Sequence, residues 1–465
     1  MSTAAVERRA FREGLSVAPA VAVSAAAGLL LARVVPDIAS KPWHEDEAVA
    51  GLISARPLGD AMRTVVLDRG GAPLHFLLAH LAFAIDGSPR TLRWLSLAFA
   101  LATIPLCYDL ARRLSGTFAG ITAAGLVASS QLLGIYATFG RMYSLFACAS
   151  ALALDLFVRA LGRPTRGRFT AAAVAALLSI VVHPFGVFVF GAELAVALWV
   201  WRLRTVPFAL LALPLVLPYF HLTGRYDPAV GMSAPAAALR ALGGSAGGFG
   251  AGLAVFAALA AIGAWTLPRT FSVLGLLLIV TPPVALAALG NEKLSPRHLI
   301  FLLPVWATFV AAGVSRLPLR VPLAAAVLVV ALIAPAAVAD PRTSASDPAD
   351  ATAWVRAHVR AGDALYPYSA VFVGALPSAA VAEALPREPV ALTRILRRTP
   401  PIRRTLVALP DGHSWHIVVV KGPFSNVPRA LARAAPHLHG IARAAALQLY
   451  ATSTEGTSPQ RSSRR

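Results

Sequence analysis

The feature that most constrains this chain is a succession of apolar runs, most near 20 residues long, separated by short turns that carry arginine. The hydrocarbon core of a bilayer is about 30 Å thick, so a helix crosses it with roughly 20 apolar residues. Such runs occur at 18–36, 92–110, 117–136, 143–161, 169–182, 185–201, 205–221, 248–266, 271–289, 298–315 and 320–338. Of the 465 residues, 57 % are hydrophobic and only 14 % charged, well below the roughly 25 % charged share of soluble domains. The expected fold class is a polytopic α-helical membrane protein of about eleven transmembrane helices.

Charge distribution sets the expected topology. The run at 73–86, "PLHFLLAHLAFAID", is short and carries His75 and His80. If it does not cross, the basic turns at Arg112/Arg113, Arg163–Arg168, Arg202/Arg204, Arg269 and Arg316/Arg320 share the side of the N-terminus. That arrangement satisfies the positive-inside rule at every short loop, so 73–86 reads as an amphipathic juxtamembrane helix on the outer surface. The protein is then a multi-pass cell (plasma or inner) membrane protein with a cytoplasmic N-terminus. The same placement accounts for the net charge of +20, and nucleic acid is not an expected partner. Cys107 and Cys148 fall inside apolar runs and read as small core residues, not as a disulfide framework.

The chain divides on this reading into a cytoplasmic N-terminus (1–17), a transmembrane domain (18–340) whose first outer loop spans 37–91, an extracytoplasmic domain (341–453) and a disordered tail (454–465). In 341–453 the segments "DALYPY", "TLVALP" and "WHIVVVKG" have strand character and 427–436 has helical character, which predicts a small α/β domain. The tail is polar and has nothing to bury.

Ionisable residues collect in the outer segments. "WHEDEAV" follows the first span and sets His44, Glu45, Asp46 and Glu47 side by side. Asp46 and Glu47 fit a general base partly withdrawn from water, an ordinary acidic helix start, or, with His44, ligands of a metal. Arg141 and Tyr143 lie in "GRMYSL" after the third span; an arginine there either snorkels to the headgroups or binds a carboxylate or phosphate. Lys293, Arg297 and His298 sit at the mouth of the tenth span, where basic residues oppose the topological bias and suit a lipid phosphate or plain headgroup contact. His183, before Pro184, interrupts a long apolar stretch, and Glu193 is an acid inside a span.

These pieces, in this order, resemble the GT-C superfamily of membrane glycosyltransferases, in particular the branch of protein O-mannosyltransferases and lipid A aminoarabinose transferases. "HEDEA" stands where that family has an acidic pair in its first outer loop, and "GGAPLHFLLAHL" resembles its Pro-Pro-Leu juxtamembrane helix. "GRMYSL" is similar to its Arg-x-Tyr element, and "SPRHLIFLLPVWATFVAAG" to its late Arg-Tyr-Leu-x-x-Pro element. Three positions depart from the pattern: Ala72-Pro73 replaces the doubled proline, Phe139 and Gly140 stand where relatives carry a second-loop acid, and His298 replaces a tyrosine. A two-carboxylate mechanism therefore lacks its second acid, and the first-loop pair carries more of the weight.

The resemblance implies an inverting glycosyltransferase, a hexosyl- or pentosyltransferase, that uses a polyprenyl-phosphate-linked sugar. The sugar would pass to a hydroxyl of an envelope lipid, glycan or protein on the outer face. It implies Asp46 as base, Glu47 orienting it or its neighbours, and Lys293 and Arg297 holding the lipid phosphate. Arg141 would hold the phosphate too or lock the first loop, while Tyr143, His75, His183 and His298 complete the substrate-binding set. No cofactor is called for, and a divalent metal stays open. The expected partners are the lipid-linked donor, the acceptor and membrane lipid. The rival readings are a non-catalytic scaffold of the same superfamily and a transporter or flippase for a lipid-linked substrate.

Overall fold

In the computed structural model, described residues are 17–41, 44–68, 73–86, 90–206, 232–288 and 294–343, short pieces within 209–217, and four strands nearer the C-terminus. The chain forms two compact units: residues Met1–Ala39 with Ser96–Ala339, and Ser40–Leu95 with Asp340–Arg465.

The first unit is a helical bundle. It contains most of α1 (Val17–Ser40) and most of α5 (Arg90–Ser115), followed by α6 (Thr117–Ser129) and α7 (Gln131–Ala137). Then come α8 (Tyr143–Gly162), α9 (Arg166–Val182) and α10 (Gly186–Trp201). After these the chain forms α11 (Ala234–Ser245), α12 (Ala251–Thr266), α13 (Arg269–Ala288), a 3-10 turn (Pro296–Leu302), α14 (Leu303–Arg316) and α15 (Arg320–Ile333). Among the described residues, five helical segments are long and apolar enough to cross a membrane by themselves: α1, α5, α8, α13 and the run Pro296–Arg316. A sixth arises if α6 and α7, bent by 57°, count as one broken span. The bend has a local cause: Ser130 leaves helical geometry, its hydroxyl caps α7 by accepting the Leu133 N–H at 3.1 Å, and it donates to the Gly244 carbonyl at 3.1 Å. α10, α12 and α15 are apolar but shorter, and the expected span at 205–221 falls largely outside the described residues.

Small residues set how closely helices pack. α12 lies against α14, and a Cβ on Gly263 would fall on the Phe309 carbonyl oxygen while one on Gly313 would fall on that of Leu259. Each glycine thus admits the other helix's backbone, the close approach that small residues permit between membrane helices. Gly186 plays a similar part where α9 turns into α10, its missing Cβ making room for the backbone at Ser179.

The second unit holds α2 (Glu45–Ser54), α3 (Leu58–Asp68) and α4 (Pro73–Ile85), with the first turn of α5. α4 has 13 residues and a length of about 20 Å, short of the roughly 30 Å hydrocarbon core. It packs on α2 and α3 and buries His75, Phe76 and Ala79. In the same unit β1 (Ala364–Tyr366), β2 (Ile417–Lys421), β3 (Leu438–Ala444) and β4 (Leu447–Thr452) form a sheet of order β1-β2-β4-β3. β1 and β2 are parallel, the other pairs antiparallel, and a bulge interrupts the β3–β4 register between Gly440 and Ala442. Strands therefore stand within "DALYPY" and "WHIVVVKG", whereas "TLVALP" and the helix expected at 427–436 lie outside the described residues.

Replacing Gly263 or Gly313 by leucine should cost about 1–3 kcal/mol or more through overpacking. The expected result is a lower unfolding temperature and loss of monodispersity in detergent, with Gly191→Leu, whose surroundings are open, as the mild control.

Candidate functional site

Each unit carries one group of the residues singled out in the sequence. In the second unit, His44 starts α2: its Nδ1 accepts the Asp46 N–H at 3.0 Å, and the Glu47 carboxylate accepts the His44 N–H at 3.0 Å. Glu47 is fully buried and takes a bidentate pair from Arg93, Nε at 2.7 Å and Nη2 at 2.9 Å. Arg93, itself only 1 % exposed, donates its remaining arm to the Lys41 carbonyl at 2.9 Å. One carboxylate thus ties together the end of the first helix, the start of α2 and the start of α5.

Asp46 is oriented differently. Successive helical residues diverge by about 100°, and Asp46 keeps 28 % of its side chain exposed, 3.9 Å from His44 Nδ1. The acidic pair therefore divides into a buried lock, Glu47, and an accessible carboxylate, Asp46. His75 is buried on α4, with its ring edge-on to Phe76 at 5.3 Å. In the same unit, burial works to raise the Asp340 carboxyl, but hydrogen bonds from Arg342, its charge and that of Lys41 outweigh burial and hold it below its ordinary value. Lys41 Nζ stands 3.7 Å from Asp340.

The first unit gathers the other candidates. Between α7 and α8 the chain makes a tight loop, held by Ser96, whose hydroxyl donates to the Phe139 carbonyl at 2.8 Å and the Arg141 carbonyl at 3.3 Å. Ser144 braces the loop from the other side by donating to the Tyr136 carbonyl at 2.7 Å. Arg141 is held almost wholly buried there. Tyr143 opens α8 with its ring 6.0 Å from His183 and 6.2 Å from His298, and the Arg297 guanidinium lies over it at 5.5 Å. His183 stacks on Phe146 at 4.8 Å and faces His298 at 5.6 Å, while Phe185 closes on His298 at 5.5 Å.

His183 lies in the turn between α9 and α10, and its Nδ1 accepts the Phe185 N–H at 3.1 Å. Burial, and then the positive charges of Arg141 and Arg297, push its pKa down to about 3. A neutral imidazole with Nδ1 accepting carries its proton on Nε2 and is a hydrogen-bond donor there. Two guanidinium groups, two imidazoles and a phenol ring, drawn from three distant stretches, form one cationic, aromatic wall suited to an anionic group such as phosphate.

Lys293 lies outside the described residues. Among the described residues no group of three or more His, Cys, Asp or Glu is arranged to hold a metal. Sequence reasoning passed over Arg93, Phe146, Phe185 and Ser96. Arg93 was the legible one: it stands at the head of an apolar run on the expected outer side, where an arginine calls for an acidic partner.

Comparison with solved structures gives the class of this architecture: the fold is shared with solved structures of two other proteins. The chain is similar to ArnT from Cupriavidus metallidurans in its apo state, with a TM-score of 0.65, 13 % identity, and coverage of 93 % of this chain and 97 % of that one. It is likewise similar to the same protein bound to undecaprenyl phosphate, with a TM-score of 0.64, 14 % identity and coverage of 95 % and 99 %. The Archaeoglobus fulgidus oligosaccharyltransferase, in a complex with Zn and sulfate, gives a TM-score of 0.51 at 14 % identity, covering 90 % of this chain and 71 % of that one. No protein-family model matches the sequence, and no curated protein matches it.

Two outcomes follow from this geometry. Glu47→Ala should destabilise the protein by about 3–5 kcal/mol, because it strands the buried Arg93 charge. Replacing Glu47 and Arg93 together by methionine should recover much of that loss in thermal unfolding. The stabilisation from Asp340 should be complete above its ordinary carboxylate range and decline as pH falls through its lowered folded value. Asp340→Asn should flatten that part of the acid-unfolding curve.

Proposed function

We propose that the protein is an inverting glycosyltransferase that takes its sugar from a polyprenyl-phosphate donor and passes it to a hydroxyl of an envelope lipid, glycan or protein. The observation that carries this reading is the assembly of Arg141, Tyr143, His183, Arg297 and His298 into one cationic wall within a GT-C fold. Undecaprenyl phosphate is the molecule bound in one of the similar ArnT structures, and a phosphate on a long apolar chain is the ligand such a wall suits.

The roles follow from charge flow. Asp46 removes the proton of the acceptor hydroxyl. The oxygen attacks the anomeric carbon from the face opposite the phosphate, and the carbon–oxygen bond to phosphate breaks. The electron pair leaves with the lipid phosphate. Arg297, with Arg141 and Lys293, stabilises the charge that gathers there. His183 offers its Nε2 proton as a neutral donor, and Tyr143 orients Arg297 through the ring beneath it. Glu47 is a positioning residue, fixing α2 and hence Asp46 through Arg93. The reaction belongs on the membrane face opposite the cytoplasmic arginine turns, with the N-terminus and those turns inside.

Purified protein supplied with a polyprenyl-phosphate sugar and envelope acceptor should show transfer. Asp46→Asn should lower its rate by roughly 100-fold to 10,000-fold while the unfolding temperature stays near wild type. Arg297→Ala should reduce transfer by roughly 100-fold. Full activity in Asp46→Asn would remove the assigned base. Wild-type protein inert with every prenyl-phosphate donor would instead favour a scaffold or transporter.

A further inference from the structure

At the far end of α8 from Tyr143 the first unit has a second, unrelated cationic feature. Arg159 is sixteen residues along the same helix, about 24 Å away, so the region is separate from the aromatic wall. There the ends of α5 and α8 and the starts of α9 and α13 enclose a cavity of about 880 Å³. Five arginines line it: Arg112, Arg113, Arg159, Arg163 and Arg168. Leu156, Val158, Leu161, Ala171 and Phe271 supply apolar wall.

The arginines are arranged, not merely accumulated. Asp109 receives Arg112 at 2.6 Å, Arg113 at 2.7 Å and Arg159 at 2.6 Å, and Asp155 takes Arg159 at 2.7 Å and Arg113 at 3.3 Å. Two carboxylates thus fix three guanidinium heads, and five arginines against two acids leave the cavity strongly positive. Arg159 Nε is buried without a hydrogen-bond partner among the described residues. Gly167 and Arg168 at the start of α9 and Thr270 at the start of α13 also line the space, so two helix N-termini add their positive ends.

We propose that this cavity binds the phosphate headgroup of an anionic phospholipid from the leaflet on the side of the arginine turns. The phosphate would sit among the guanidinium groups, and the upper acyl chain would lie on Leu156, Leu161 and Phe271. Basic pockets between membrane helices on the cytoplasmic side are suited to such headgroups, and the mixed lining fits an amphiphile better than a free anion. This site takes no part in sugar transfer. It would make stability depend on the lipid composition of one leaflet.

The test uses the full-length protein in detergent, with phosphatidylglycerol, phosphatidylcholine and inorganic phosphate as probes. Bound lipid is counted by native mass spectrometry, and unfolding temperature is followed in parallel. Wild type should retain phosphatidylglycerol and gain thermal stability from it, with little response to phosphatidylcholine. Arg163 and Arg168 are exposed, and the ion pairs of Asp109 and Asp155 with Arg112, Arg113 and Arg159 are left in place, so Arg163→Gln with Arg168→Gln should fold normally. That double variant should lose phosphatidylglycerol affinity by roughly tenfold or more, at about 1 kcal/mol per basic residue. Arg316→Gln, an exposed arginine outside the cavity lining, should change nothing. Equal retention of phosphatidylcholine, undiminished affinity in the double variant, or an equal loss in Arg316→Gln would overturn the proposal. Stabilisation by inorganic phosphate matching that by phosphatidylglycerol would overturn the lipid as occupant and assign the cavity to a soluble phosphate.

Discussion

The structure depends on what an apolar surrounding does to charge. In hydrocarbon or in a packed helical core, an ionised side chain without a partner costs several kcal/mol, so each charge that persists must be satisfied locally. The Glu47–Arg93 pair shows the consequence most clearly. Both side chains are almost wholly removed from solvent, and each is satisfied by the other plus backbone groups of residues 41 and 44. Breaking water contact on both groups is offset only by this bidentate geometry, and the geometry fixes where α2 begins. Asp46 inherits its orientation from that constraint.

The same rule organises the bundle at both ends of α8. At its start, Arg297 lies over a ring, and the His183 and His298 imidazoles pack among aromatics. At its other end, Asp109 and Asp155 bind arginines in a shared network. The two ends differ in what remains. The first presents aromatic surface and positive charge; the second presents positive charge and aliphatic surface to a cavity of about 880 Å³. One helix therefore separates two cationic environments of different lining.

Much of this was legible in the residues. Apolar run length marked α1, α5, α8, α13 and the Pro296–Arg316 segment, because crossing a bilayer imposes a length that composition reveals. The short run at 73–86 read as a surface helix from its length and from the charge of the loops, and Pro73–Ile85 is an apolar helix of 13 residues. Arg141, Tyr143, His183, Arg297 and His298 stood out because polar groups among apolar runs are expensive. Arg93 at the head of a span signalled the need for an acidic partner, but only the folded structure shows that Glu47 is that partner. The division between Asp46 and Glu47 was only half legible. Adjacent acids have equal chemistry, and only helix phase decides which faces inward.

The sequence by itself determined a helical chain with runs long and apolar enough to cross a membrane, the short turns in which its arginines collect, and the ionisable residues set among those runs. Those follow from hydrophobic length and charge, which act locally along the chain. Tertiary structure decided which of those residues meet. It brought Tyr143, His183 and Arg297 to one wall, committed Glu47 to Arg93, and gathered five arginines around one cavity. Such meetings depend on helix phase, on the bend at Ser130 and on close crossings such as Gly263 with Gly313. They arise from packing between segments far apart in the chain, which no local pattern of residues encodes.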